Sequence, residues 1–236
     1  MDTQTRHALK GDKFAQATKT SVDWLSSHRS GVQRIAIIAV VAVVVVVGGL
    51  ILYGVRSNAA AHALGDALDT YSAPLALPGA PAQKGVYATS ADRAKTANQQ
   101  FVAVASQYGL LPEGTKAHYF AGVTYRELGQ NGPAESELKT AAGAWNRNVA
   151  NLAKLALAGL YHQTNRDQQA IDLYNEIIAK PSDTVSAAAA QLNLADLYVA
   201  TGKTEQARTL WAKVKDADKD GAAGAIATQK LTGPAQ

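Results

Sequence analysis

Residues 117–141 read AHYFAGVTYRELGQNGPAESELKTA, and two later stretches repeat their pattern: LAKLALAGLYHQTNRDQQAIDLYNEIIAKP from Leu152 and AQLNLADLYVATGKTEQARTLWAKV from Ala190. Set on their tyrosines, the three copies place Tyr125, Tyr161 and Tyr198 at spacings of 36 and 37 residues. A small residue precedes each tyrosine by three: Gly122, Ala158 and Ala195. An alanine follows by nine, at Ala134, Ala170 and Ala207, and a bulky residue by thirteen, at Leu138, Tyr174 and Trp211. Between them stand Gly129, Asn165 and Gly202.

Each column has a steric reason. Two antiparallel helices joined by a short turn approach closely only where both carry small side chains. The tyrosines and the bulky column then fill the space towards the next unit. Gly or Asn tolerates the left-handed backbone that ends the first helix. Gly132-Pro133 and Thr204-Glu205 offer start signals for the second helix, with Pro at its first position and Thr as cap. The pattern resembles the tetratricopeptide repeat (TPR), a helical hairpin of ~34 residues. Extra residues are expected between repeats, near Asn146-Arg147-Asn148 and Lys180-Pro181-Ser182. The Trp expected early in the first helix is replaced by His118, Lys154 and Gln191.

The expected fold is therefore all-α: a TPR-like superhelix of three clear repeats and one degenerate one. Ala97, Phe101 and Val104 fit the second helix of a degenerate unit at 91–108, with its partner over roughly 57–72. Three prolines make 72–90 a loop. Residues 219–231 suit the polar cap that a solenoid needs.

Ile35 to Val55 is a run of 21 residues without a charge. As a helix it spans ~32 Å, close to the ~30 Å of a hydrocarbon core. Val40 to Val47 is mostly β-branched, which disfavours a soluble helix but not one in lipid, where the backbone must bond to itself. The leader, 1–34, holds six positives and three negatives, and residues 35–236 hold 17 and 16. Arg56 is the only Lys or Arg between the run and Lys84, so the positive-inside rule keeps the amino terminus in the cytoplasm. Ala61-His62-Ala63 would suit signal cleavage, but the run is longer than a signal h-region. Residues 6–28 read as a short basic helix, fit either for an inner leaflet or simply for setting topology. The resulting division is a basic leader 1–34, a membrane helix 35–55, a connecting helix and Pro-rich loop 56–90, and a repeat domain 91–236.

The chain has 236 residues and no cysteine, which excludes disulfides, thiolate metal sites and a lipoprotein anchor. Its five histidines show no metal spacing, and neither H-E-x-x-H nor G-x-S-x-G occurs. Neither an enzyme nor a cofactor is expected. The exported part is near neutral without a basic stripe, which argues against nucleic acid.

A basic leader, one span and about four TPR-like units together resemble the YfgM-like family, the ancillary subunit of the SecYEG translocon. The resemblance implies a bacterial inner-membrane protein with its repeats in the periplasm. It also implies contact with translocon subunits, a periplasmic prolyl isomerase chaperone and newly exported, unfolded chains. An adaptor of another envelope complex (cell division, secretion or outer-membrane assembly) is the alternative. In a TPR superhelix the first helices line the concave face, and the usual groove positions fall on Lys116, Tyr119, Val123, Arg126, Leu155, His162, Gln163 and Asp196. Solvent-facing packing without a ligand is the competing account of each. Tyr119 and Arg126 are the strongest candidates by residue type, seven apart and so on one face.

Overall fold

The structure is a computed structural model that describes residues 29–77 and 85–233. The leader helix expected over 6–28, with Trp24, lies outside the described residues. Among those described, the regular elements are helices: α1 Arg29–Tyr71, α2 Ser90–Tyr108, α3 Pro112–Glu127, α4 Asn131–Ala142, α5 Arg147–Gln163, α6 Asp167–Ala179, α7 Ala187–Ala200, α8 Thr204–Ala217 and α9 Ala222–Thr232. The chain divides into two compact units, Met1–Val55 and Arg56–Gln236. In the first, the described part of α1 is long and apolar enough to cross a membrane, with none of its most apolar window buried.

The second unit is a run of helical hairpins. The carboxy-terminal part of α1 pairs with α2: Leu64 and Ala67 pack with Ala97, Phe101 and Val104. Arg56 meets Gln107 at one end, and Tyr71 meets Phe101 nearer the other, so the two helices are antiparallel. Then α3 pairs with α4, α5 with α6 and α7 with α8, and α9 closes the stack. Of the 72–90 segment, an isolated bridge joins Leu75 to Tyr87.

The sequence columns occupy the places their sizes require. Gly122, Ala158, Ala195, Ala134, Ala170 and Ala207 are buried, as are Leu138, Tyr174 and Trp211. A methyl group on Gly122 would stand 2.5 Å from Leu138 Cγ, so glycine sets how closely α3 and α4 approach. Tyr161 is buried, while Tyr125 and Tyr198 are half-buried against the core. Two of the polar residues at the missing Trp column pair across their hairpins instead, His118 with Glu137 at 2.6 Å and Lys154 with Glu176 at 2.7 Å.

The turn of each hairpin is built alike. Gly129, Asn165 and Gly202 have φ of 72°, 58° and 74°. The amides of Gln130, Arg166 and Lys203 then donate to the carbonyls of Tyr125, Tyr161 and Tyr198, at 2.9, 2.8 and 2.7 Å. The amides of the three left-handed residues donate to Arg126, His162 and Val199, each at 3.0 Å. These paired bonds form a Schellman motif, and they place the tyrosine column at a constant distance before the turn.

The second helices start earlier than expected. Gln130 and Lys203 are the caps, without a side-chain capping bond; Pro133 sits in the third position of α4 and Thr204 in the first of α8. The reason lies in the motif itself. The residue after the left-handed position closes the first helix with its amide, and its carbonyl accepts from Ala134, Ala170 or Ala207 in the next. No separate cap fits between.

No atom lies within 4 Å of a methyl group placed on Gly202, so substitution there acts on the backbone alone. Gly202→Val is expected to cost about 1–2 kcal/mol. Gly202→Asn, which copies Asn165, is expected to cost well under half of that. Urea denaturation followed by circular dichroism checks both, and equal losses would contradict the account.

Candidate functional site

Two pairs of first helices pack directly on one another, α3 on α5 and α7 on α9. The candidate residues are on that set: Lys116, Tyr119, Val123 and Arg126 on α3, Leu155, His162 and Gln163 on α5, and Asp196 on α7.

Their surroundings differ. Lys116, Gln163 and Asp196 are exposed, whereas Tyr119, Val123, Arg126, Leu155 and His162 are half-buried. Leu155 packs against two parts of the core and is the most structural of them. His162 is engaged away from the middle of the groove, its Nδ1 lying 2.7 Å from Asp167 at the start of α6.

Arg126 reaches across to the next hairpin, where its Nη1 donates to the carbonyl of Ala156 at 3.3 Å. That atom is 3.3 Å from where a Cβ on Gly159 would stand, so this glycine leaves room for the guanidinium. Burial pushes the Tyr119 phenol above its ordinary pKa, and Arg126 opposes the rise. The Tyr174 phenol is raised by burial and then by Asp196, and again Arg126 opposes it. Arg126 thus acts on phenols of two hairpins, Tyr119 and Tyr174. Asp196 is tied to the cap, accepting from Lys230 at 2.8 Å.

Tyr174 was not among the expected site residues, because its column reads as packing. Its ring does fill the core, while its hydroxyl senses charges on the first helices of two hairpins. The only sequence hint is that this column holds Leu, Tyr and Trp, of which only Tyr carries a hydroxyl. At the amino-terminal end, Glu127 accepts from the Tyr71 hydroxyl, whose pKa is pushed up to about 12 by burial and then by this carboxylate.

Between the α3–α4 hairpin and the next, Glu135 of α4 gathers three donors. It accepts from Arg166 at 2.8 Å, from Lys139 at 2.7 Å and from the Tyr161 hydroxyl at 3.3 Å. Arg166 first, and Lys139 after it, hold its carboxyl down to about 2. A depressed carboxylate stabilises the fold above its unfolded pKa and ceases to as pH falls towards the folded value. Because the group is partly solvated, its contribution is about 1 kcal/mol. Between neutral pH and about pH 2.5, wild type is expected to lose that margin over Glu135→Gln. Urea midpoints measured at both pH values check it, and a margin independent of pH would contradict it.

Among the described residues, no group of three His, Cys, Asp or Glu is placed to hold a metal ion. The candidate residues offer aromatic area, aliphatic area and a few charges.

No family model matches the chain, and no curated protein matches it. Among solved structures, it is similar to two of a Podosopora anserina protein described as a kinesin light chain with nearly identical TPR-like repeats. One has a TM-score of 0.50 and 17% identity, covering 59% of this chain and 76% of that one. The other has a TM-score of 0.49 with the same identity and coverage. At this identity the first likeness shows the fold: a TPR-like α-α superhelix, with one long apolar helix ahead of it in this chain.

Proposed function

We propose that this chain is a membrane-anchored TPR scaffold that holds a segment of another protein on the concave face of its repeats. The observation that carries the reading is Arg126, which reaches from α3 to the Ala156 carbonyl of the next hairpin, with half-buried Tyr119 two turns before it on the same helix. Aromatic residues and arginine are the side chains that dominate protein interfaces. Here Arg126 and Tyr119 are half-buried before any partner arrives, so little side-chain freedom is left to lose on binding. The mixture of apolar area and scattered charge suits a helix or an extended, unfolded segment better than a clamp for a terminal carboxylate.

The finer reading follows from the resemblance to the YfgM-like family. The apolar run 35–55 anchors the chain in a bacterial inner membrane, with the leader in the cytoplasm and the repeats in the periplasm. The proteins held are translocon subunits, a periplasmic prolyl isomerase chaperone, or chains emerging from the translocon. What supports it is the order of leader, apolar run and repeats, with six positives ahead of the run.

A photo-crosslinking residue at position 119 or 126 in cells, followed by mass spectrometry, tests the proposal. Adducts to translocon subunits or exported chains are the expected result, with few from an outer-face control at Thr209 of α8, which is exposed. Adducts to division or outer-membrane assembly proteins would keep the scaffold and replace the partner. Equal yields from the inner and outer faces would remove the groove.

A further inference from the structure

Two large apolar side chains of the repeat unit stand fully in solvent: Leu110 at 103% relative exposure and Trp145 at 105%. Neither fills a hairpin. Both lie in turns that join one hairpin to the next, Leu110 between α2 and α3 and Trp145 between α4 and α5. Successive helices alternate in direction, so turns of this kind fall on one edge of the stack. Asn148, beside Trp145, accepts from the Thr184 hydroxyl at 2.9 Å and from the Asp183 amide at 3.1 Å, tying the next such junction to the same edge.

Arg56 says where that edge begins. It is the first residue after the apolar run and belongs to the repeat unit. Its guanidinium donates to the Gln107 carbonyl at 3.2 Å and lies 5.9 Å from the centre of the Tyr108 ring. The chain therefore leaves its membrane-length segment two residues short of Leu110 along the α2 end. The turns 109–111 and 143–146 contain no acid, and Arg147 follows the second. The acid nearest to Leu110 on this side is Glu113, in the first turn of α3, and Lys116 follows it. Farther along the edge stand Asp183, Asp218 and Asp220. Exposed leucine and tryptophan flanked by arginine are what a headgroup layer accepts, the apolar part dipping below the phosphates while the cation meets them.

We propose that this edge of the repeats seats on the lipid surface, with Leu110 and Trp145 in the headgroup layer and Arg56 and Arg147 against anionic headgroups. The proposal rests on reading 35–55 as a membrane span. It holds whichever side of the membrane carries the repeats.

Tryptophan fluorescence of the full chain in vesicles of phosphatidylcholine and phosphatidylglycerol, with and without brominated acyl chains, tests it. The chain has three tryptophans, Trp24, Trp145 and the buried Trp211. Spectra of Trp24→Phe minus those of Trp24→Phe/Trp145→Phe isolate Trp145 without disturbing the core. Flotation through a density gradient and resistance to alkaline carbonate come first. Failure there removes the span and the seated edge together. With the span in place, Trp145 is expected to emit to the blue, to lose about half of its emission to brominated lipid and to be shielded from acrylamide. Emission typical of water, quenched by acrylamide and not by bromine, overturns the proposal. Shielding from both quenchers also overturns it, and gives the edge to a protein or a second copy instead.

Discussion

Phe101→Ala is expected to destabilise the repeat unit by about 3–5 kcal/mol, the range for removing a buried aromatic ring. The ring is fully buried where α1, α2 and α3 meet. It stacks on Phe120 at 5.2 Å and takes an edge contact from Tyr71 at 6.1 Å. Neighbours such as Ala67, Ala97, Ala117 and Ala121 have no side-chain length with which to collapse into the gap. A cavity there is therefore retained rather than filled. In a linear stack each unit leans only on its neighbours, so the loss should fall first on the amino-terminal hairpin. Hydrogen exchange is expected to quicken over 57–71 and 90–108 before it does over α7 and α8. Uniform quickening along the stack would mean that the hairpins melt as one.

On the proposed membrane anchor, Val44→Arg together with Val45→Arg is expected to release the chain from the membrane. Each arginine at the centre of a span costs about 2.5–3.5 kcal/mol on insertion scales. The run carries no compensating acid, and among the described residues Val44 and Val45 are exposed. The double variant should move to the soluble fraction after alkaline carbonate, with the helical signal of the repeats retained. A variant that still resists carbonate would show that residues 35–55 are not what anchors the chain.

What could be read in the sequence was whatever depends on size at a fixed interval. Close approach of two helices demands Gly122 or Ala158 whatever surrounds it, and a left-handed residue demands Gly or Asn. Those columns therefore survive as a pattern over three copies. The helix starts were misplaced at Pro133 and Thr204 because their propensity as start residues is a local preference. The Schellman turn overrides it by using one residue to end a helix and begin another. Among the candidate residues, the spacing of Tyr119 and Arg126 puts them on one face of α3. That Arg126 would reach across to Ala156 depends on Gly159, which is 33 residues away. Tyr174 escaped for a related reason: a residue can be core by its ring and surface by its hydroxyl, and periodicity sees only the ring. Leu110 and Trp145 escaped because a turn has no period against which an apolar residue looks out of place.

The shared residue at each hairpin tip also decides where this molecule can bend. Gln130, Arg166 and Lys203 leave no slack between the two helices they join, so each hairpin behaves as a stiff plate. Compliance is left to the joints between plates, and to 143–146 before 180–186, which is tied to Asn148 and holds the buried Val185. Fanning the plates apart or closing them would change the curvature of the array while the side chains each plate presents stay constant.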